Sequence, residues 1–399
     1  MYNRNFYIEQ FEKWKEKPLI KVITGIRRSG KSTLLKLFIE KLKNDGVNSS
    51  EIIFINKESL EFEEIQNYHN LYKFVKSVHD KTQKKLFLFI DEVQLIESWE
   101  KAVISLFSEN AADIYIAGSN AGLMSSELAS LLSGRYIEIK IFPLTFSEFL
   151  VFRNSYDSLE EEFNRFLKIG GLPGIHHLQY DIEVIYEYIN SIFDTIVLKD
   201  IVKKHSIRNV AFLEKIILFI LDNVSQIFSA KRVVDFLKKE NRRTNTETVY
   251  NYIRHLQEAF IIQQVPRYDI KGKRFLEVRE KYYLTEIGLR NAVLGYKKND
   301  INQLLENIVY IELRKRGYQI YTGQFKDQEI DFIIEKHGKK EYIQVTYLLS
   351  TPETIKREFG SLISLNNNYP KYVISADKFF PEDYEGIIHK NIIDFLLEK

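Results

Sequence analysis

The eight residues Gly25-Ile26-Arg27-Arg28-Ser29-Gly30-Lys31-Ser32, which fit GxxxxGK[ST], constrain the fold of this chain more than any others. They follow a short apolar run, Leu19–Thr24. They open the segment Ser32–Leu42, where Leu34, Leu35, Phe38, Ile39 and Leu42 recur at helical spacing. A glycine-rich turn between a strand and a helix lets successive backbone N–H groups face inward around an anion, and the helix adds the positive end of its dipole. In that geometry Lys31 reaches the β- and γ-phosphates of a nucleotide, Ser32 offers its hydroxyl to Mg²⁺, and the binding segment extends to Thr33. Such a loop belongs at the C-terminal edge of a parallel sheet, so an α/β architecture is expected for the first part of the chain.

The next runs agree. Ile52–Ile55, Leu86–Ile90 and Ile114–Ala117 are short, continuous and apolar, as strands buried on both faces are, and helical stretches separate them. Leu86–Ile90 delivers Asp91 and Glu92 at its C-terminal end, where ligands sit in open α/β sheets. Asp91 is expected to hold Mg²⁺ through water, and Glu92 to orient or deprotonate the attacking water. The third run ends in Gly118-Ser119-Asn120; Asn120 is the first candidate for holding that water and Ser119 the second. Ser133-Gly134-Arg135 precedes a strand at Tyr136–Ile141. A guanidinium at Arg135 suits the charge of a transferring phosphoryl group, supplied from the same subunit or a neighbouring one.

Composition narrows the remaining classes. At 399 residues two or three domains are expected. The absence of cysteine excludes disulfides, thiolate zinc sites and a cysteine nucleophile, and suits a reducing, cytoplasmic setting. The N-terminus has no apolar leader pattern, and the longest apolar run, Ile216–Leu221, is far too short for a bilayer, so no membrane partner is expected. The histidines, His176-His177 included, show no ligand spacing with carboxylates. The net charge of +2 conceals an uneven distribution: residues 201–300 hold 20 Lys and Arg against 11 Asp and Glu.

With the phosphate loop at Gly25–Ser32, the carboxylates after Leu86–Ile90, Asn120 and Arg135 in this order, residues 1–150 resemble an AAA+ P-loop ATPase core. The segments IFPLTFSEF, GGLPG, KYYLTEIGLRNAVLG, LLENIVYIELRKRGY, EIDFII and YIQVTY are similar to those of bacterial and archaeal predicted ATPases of that class, in which the ATPase is joined to a C-terminal domain of unknown function. The resemblance implies ATP and Mg²⁺ as ligands and a helical lid over 151–206. Gly170-Gly171-Leu172-Pro173-Gly174 is similar to the GLP motif in the lid of signal-transducing NTPases, which implies that Pro173 packs against adenine; a helix break requires the same residues. No second sensor arginine stands out in the lid.

Residues 207–298 read as three helices (Val210–Asp222, Lys231–Lys239 and 247–260) and a hairpin (Ile261–Val265 and Lys281–Leu284), the outline of a winged helix-turn-helix. Thr244 and Glu247 have the spacing of a capping box. Val249, Tyr252, Ile253, Leu256 and Phe260 form one face of the third helix, leaving Asn245, Tyr250, Asn251 and Arg254 for a groove or partner. Lys271, Lys273, Arg274 and Arg279 crowd the expected wing, so DNA is a candidate partner through residues 244–281. Packing against the ATPase lid is the other open use of this surface.

In residues 299–399, Glu306 on a helix, Asp331 in EIDF and Gln344-Val345-Thr346 resemble a PD-(D/E)xK nuclease core. That resemblance implies carboxylates on Mg²⁺ and a lysine meeting the developing charge. Gln344 stands where an anionic ligand belongs and Thr346 where lysine belongs, so a scaffold with lost or weakened chemistry is expected; local capping and pairing by Glu306 and Asp331 is the alternative. Overall the sequence suggests an ATP-hydrolysing protein whose nucleotide state controls the basic winged helix and the nuclease-like domain, acting on nucleic acid, with homo-oligomers if Arg135 works between subunits. The alternatives are a nucleotide-gated DNA-binding regulator with slow, timer-like hydrolysis, and a metal-dependent nuclease.

Overall fold

The computed structural model describes residues 4–124, 132, 134–154, 158–239 and 244–398, with side chains absent from the description at 277–279. Ser133 and the Arg279 side chain therefore lie outside the described residues. The chain forms two compact units, one of residues 1–142 with 258–260, the other of residues 143–257 with 261–399.

In the first unit every expected apolar run becomes a strand: β1 (Ile20–Thr24), β2 (Ile52–Asn56), β3 (Leu86–Asp91), β4 (Ala112–Gly118) and β5 (Tyr136–Lys140). All pair in parallel, in the order β2-β3-β4-β1-β5. Alternate residues leave on opposite faces. Ile20, Val22, Leu88 and Ile90 pack with Leu71, Val75 and Leu106 on one side. Ile23, Phe89 and Tyr115 pack with Leu34, Leu35 and Phe38 on the other. Helices on both faces leave no wet side, hence strands without polar alternation. The exception is Lys21, fully buried on β1 and paired with Asp113 on β4. Burial lowers the Lys21 pKa and Asp113 opposes that shift. Removing either partner leaves an unpaired buried charge, which costs about 3–5 kcal/mol.

The second unit opens with the helices Phe146–Arg153, Leu159–Ile169 and Ile182–Thr195; a capping box of Thr145 and Glu148 starts the first. The glycines between the last two are dictated by crowding. A Cβ on Gly170 falls 1.7 Å from Glu286 Oε1, and one on Gly171 falls 2.1 Å from the Leu144 carbonyl oxygen. The buried Glu286 carboxylate accepts from the Gly171 N–H at 3.0 and 3.1 Å and from the Gly288 N–H at 2.8 Å. Nearby, Asn291 donates to the carbonyls of Leu167 (2.8 Å) and Lys168 (3.0 Å), which a helix C-terminus leaves open. The fully buried Arg290 donates to the Leu221 carbonyl at 3.0 Å and pairs with Asp300. The TEIGLRN segment thus clasps two helix ends and the glycine loop.

Helices Val210–Asp222, Ala230–Lys239 and Thr246–Glu258 then precede an antiparallel hairpin of β6 (Ile262–Asp269) and β7 (Arg274–Leu284), in the expected order. Two features differ from expectation. The cap of the third helix is Asn245, not Thr244: its Oδ1 accepts from the Thr248 N–H at 2.8 Å. Asn caps at least as well as Thr, and this frame places Glu247 a position too early to close a capping box. Asn245 is thereby committed to the backbone rather than left for a partner. The hairpin, moreover, is no free-standing wing. β6 pairs in parallel with β8 (Gln319–Phe325), so β6 and β7 end an eight-stranded sheet that crosses the boundary expected at residues 298 and 299. The rest of that sheet comes from β9 (Gln328–Lys336), β10 (Lys339–Val345), β11 (Lys371–Ser375), β12 (Asp383–Tyr384) and β13 (Ile387–Asn391). β8, β9 and β10 are antiparallel in turn, while β10, β11 and β13 run parallel. Helix Ile301–Lys315 precedes β8 and helix Pro352–Ile363 links β10 to β11. Among the described residues no helix is long and apolar enough to cross a membrane.

Candidate functional site

β1 runs directly into the phosphate loop. Gly25 has φ +150°, and a Cβ there would lie 2.2 Å from the Ile141 carbonyl oxygen, so only glycine fits. Gly30, at φ +100°, turns the chain into helix Lys31–Asn44, which has no side-chain cap on its first N–H groups. Those open donors are the anion-binding end of a helix. Arg28 adds a second left-handed residue to the loop, at φ +66°. Ile26 and Ser29 are buried beneath the turn, the Arg4 guanidinium bracing the Ser29 carbonyl at 3.1 Å. Arg27 lies 3.6 Å from Glu58, while Ser32 and Thr33 are exposed at the helix start. The Lys31 ammonium, buried, donates to the carbonyls of Gly25 (2.9 Å) and Ile26 (3.1 Å), held at the mouth of the loop.

β3 ends in the two expected carboxylates. Asp91 is buried and, among the described residues, its Oδ1 has no hydrogen-bond partner. Burial raises its pKa, with the Ser32 hydroxyl and the Lys31 charge pulling the other way. A buried carboxylate oxygen without a partner beside a helix-start hydroxyl is a donor set that fits Mg²⁺. Glu92 is also buried, with its backbone at φ +53°, a left-handed strain that a bulky residue keeps only where its surroundings over-determine it. Its Oε2 accepts from Ser119 Oγ at 3.2 Å and from the Gln94 amide. Burial pushes the Glu92 pKa up, and the neighbouring Asp91 charge adds to that.

The two candidates at the tip of β4 make different contacts. Ser119, the second choice, is the residue that touches Glu92. Asn120 is buried, and its Oδ1 accepts from the Gly122 N–H at 2.6 Å, closing its own turn. Gln94 was not legible in the sequence; the clue to it is Gly118, where a Cβ would collide with Gln94 Oε1 at 2.3 Å. Arg135 opens β5 at the N-terminal edge of the sheet and is exposed, whereas the loop and both carboxylates stand at the C-terminal edge. A five-residue strand spans about 17 Å, so a same-subunit role for Arg135 does not fit this geometry. Pro173 heads the short turn Pro173–His177 in the second unit.

The second unit holds a cavity of about 590 Å³ where the nuclease-like residues converge. Asp331 Oδ2 accepts from the Val345 N–H at 2.9 Å, and Gln344 Oε1 accepts from the Asp331 N–H at 3.2 Å, so Gln344 braces β9 against β10. Thr346 leaves the expected lysine position without a cation, but one reaches these carboxylates from another strand. The Lys281 ammonium, from β7, lies 2.8 Å from Glu306, 2.5 Å from Glu329 and 3.5 Å from Asp331. Tyr283, two residues on and so on the same face of β7, donates to Glu306 at 2.6 Å. Burial alone would lower the Lys281 pKa, but the three carboxylates outweigh it and raise it. Burial and the Glu306 charge raise that of Asp331. A search for lysine two residues after Gln344 misses a lysine supplied by a strand far upstream.

Comparisons with known proteins agree with the first unit. Residues 17–150 match the family model of an AAA domain, and residues 160–300 match a domain of unknown function, DUF8612. Among solved structures, a mutant RuvB of Thermotoga maritima is 14% identical, with a TM-score of 0.33, over 66% of this chain and 87% of that one. The Aeropyrum pernix Orc1 protein in complex with DNA is 10% identical, with a TM-score of 0.29, over 73% and 90%. An uncharacterised protein of Methanocaldococcus jannaschii is 33% identical over 83% of this chain and 75% of its own length. An uncharacterised protein of Haemophilus influenzae is 36% identical over 100% of this chain and 99% of its own. The chain therefore belongs to the family of these two uncharacterised relatives and carries an AAA-type P-loop NTPase domain over residues 17–150.

Proposed function

We propose that the first unit binds and hydrolyses ATP, and that its nucleotide state acts on the second unit and through it on nucleic acid. The observation that carries this is Asp91: a buried carboxylate oxygen with no partner among the described residues, at the end of β3, beside Lys31 and Ser32. Mg²⁺, when bound, neutralises charge on the phosphates. Residues 25–33 wrap the phosphates with backbone N–H groups, and Lys31 turns from its loop carbonyls to the β- and γ-phosphates. Glu92, kept partly reluctant to ionise by burial, takes or orients a proton of the attacking water. Ser119 and Gln94 fix the Glu92 carboxylate, and Asn120 holds the turn that presents Ser119. Pro173 against the adenine, and Arg135 reaching the phosphates of a neighbouring subunit, complete the reading. A basic hairpin turn supports the nucleic-acid part: Lys271, Lys273 and Arg274 are all exposed there.

Calorimetry with MgATP tests the core of this. Wild-type protein is expected to bind one nucleotide and Lys31→Ala none; binding equal in both sinks the proposal. Duplex DNA is expected to bind with an affinity that falls steeply with salt, and binding indifferent to salt removes DNA from the reading.

A further inference from the structure

Helix Ile182–Thr195 runs on without a break into a π-helical segment, Ile196–Lys203, whose backbone N–H groups reach five residues back rather than four. Most π turns are single, and they are frequent at functional sites. The chain then turns. The His205 N–H donates to the Ile201 carbonyl at 3.0 Å and the Ile207 N–H to the Val202 carbonyl at 3.0 Å, while Ser206 between them takes φ +51°. A left-handed serine braced on both sides is strain that its surroundings hold in place. The turn lays the His205 ring on the His255 ring, with centroids 3.7 Å apart and planes 22° from parallel. His255 belongs to helix Thr246–Glu258, and Glu258, three residues on, leaves the same face one turn later. The histidines were expected to have no ligand spacing with carboxylates; this pair has it. A ring nitrogen of His205 and one of His255 lie within 4.8 Å of each other, and a Glu258 carboxylate oxygen lies within that distance of His255. All three side chains are half-buried, within reach of ions from solvent.

We propose that His205, His255 and Glu258 form a transition-metal site, with Zn²⁺ the ion whose chemistry they fit, and that the ion pins the turn after the π-helical segment to the third helix. Two imidazoles and one carboxylate are a donor set for a borderline divalent ion, whereas Mg²⁺ and Ca²⁺ take oxygen ligands. Tetrahedral bonds of about 2.0–2.1 Å place neighbouring donors roughly 3.4 Å apart, so the present spacing closes by side-chain rotation alone. Stacked rings hold their in-plane lone pairs nearly parallel, so one imidazole turns about its Cβ–Cγ bond as the ion enters. Three protein ligands leave a fourth position open for water or an outside donor. The two histidines are fifty residues apart in the chain. A bound ion therefore clips a long loop, the case in which a cross-link has most entropy to remove. The site shares no residue with the phosphate loop or with the carboxylates around Lys281, and it stands whether or not the first unit binds nucleotide.

Ring stacking without an ion is the plain use of the same geometry, and the two differ in what metal does. Full-length protein is stripped of metal with a chelator and titrated with Co²⁺, whose visible absorption is strong in a four-coordinate site and weak in a six-coordinate one. One strongly absorbing site is expected in wild type, emptied of Co²⁺ by an equal amount of Zn²⁺. His205→Gln and His255→Gln are each expected to lose that absorption, and Glu258→Gln to bind at least about tenfold more weakly. Zn²⁺ is expected to raise the melting temperature of wild type by several degrees and that of either histidine variant not at all. Circular dichroism of the metal-free variants checks their folding; the three residues are half-buried, and should one histidine variant misfold, the other and Glu258→Gln still carry the test. Absorption of equal strength in the His205→Gln/His255→Gln double variant places the ion elsewhere and overturns the proposal. So does a wild-type protein that takes up no Co²⁺ in a four-coordinate site, or whose melting temperature Zn²⁺ leaves unmoved, since the histidines are then stacked packing alone.

Discussion

Glu286→Gln tests whether the clasp on the GGLPG loop is built around a carboxyl that keeps its proton. Burial raises the Glu286 pKa to about 7 from a usual 4.5, even though the N–H groups of Gly171 and Gly288 favour the ionised form. At roughly 1.4 kcal/mol per unit, that difference is worth about 3 kcal/mol. Between those two values the folded chain holds a proton that the unfolded chain has released. Stability therefore falls as pH rises from about 4.5 to about 7 and is flat above it. Gln has no proton to lose, so the wild-type stability minus that of the variant should drop by about 3 kcal/mol across the window. Other titrating groups cancel in this difference. Both tryptophans, Trp14 and Trp99, lie in the first unit, so their fluorescence is the wrong probe. Urea melts followed by circular dichroism, with hydrogen exchange at the Gly171 and Gly288 amides, report on the second unit. A difference that stays flat refutes the reasoning. One that grows with pH shows that the amide donors hold the carboxylate ionised below its usual range.

Two further outcomes bear on the NTPase domain. Glu92→Gln should keep MgATP affinity and lose turnover by about a hundredfold or more, measured by phosphate release; unchanged turnover removes Glu92 from the mechanism. Arg135 stands at the far edge of the sheet from the loop, so its role requires a neighbour. Turnover per subunit should rise with protein concentration, and mixing Arg135→Ala with Glu92→Gln subunits should restore activity that neither has alone. Turnover independent of concentration rejects the between-subunit role.

What the sequence made legible follows the range of the interactions involved. Strands β1 to β5 were readable because burial on both faces writes an unbroken apolar run, and the loop because only glycine survives at Gly25 and Gly30. Asp91 and Glu92 came with them, since a strand's C-terminal end is fixed once the strand is. Roles set across the sheet were harder: Ser119 and Asn120 are adjacent, and only the turn bond to Gly122 decides which of them reaches Glu92. The charged cavity was read as depleted for the same reason. Glu306, Asp331 and Gln344 lie within one helix-and-strand run, and a reader looks for the missing cation in that run. Lys281 comes instead from the hairpin, delivered by a parallel pairing of β6 with β8 that joins segments some fifty residues apart. A parallel pair leaves no turn signal between its strands, so nothing local announces it. The domain boundary expected at residues 298 and 299 hid it further, because that boundary cut between the lysine and its carboxylates. A sequence that lacks an expected charge at one position is therefore a reason to ask which neighbouring strand supplies it, before concluding that the chemistry is gone.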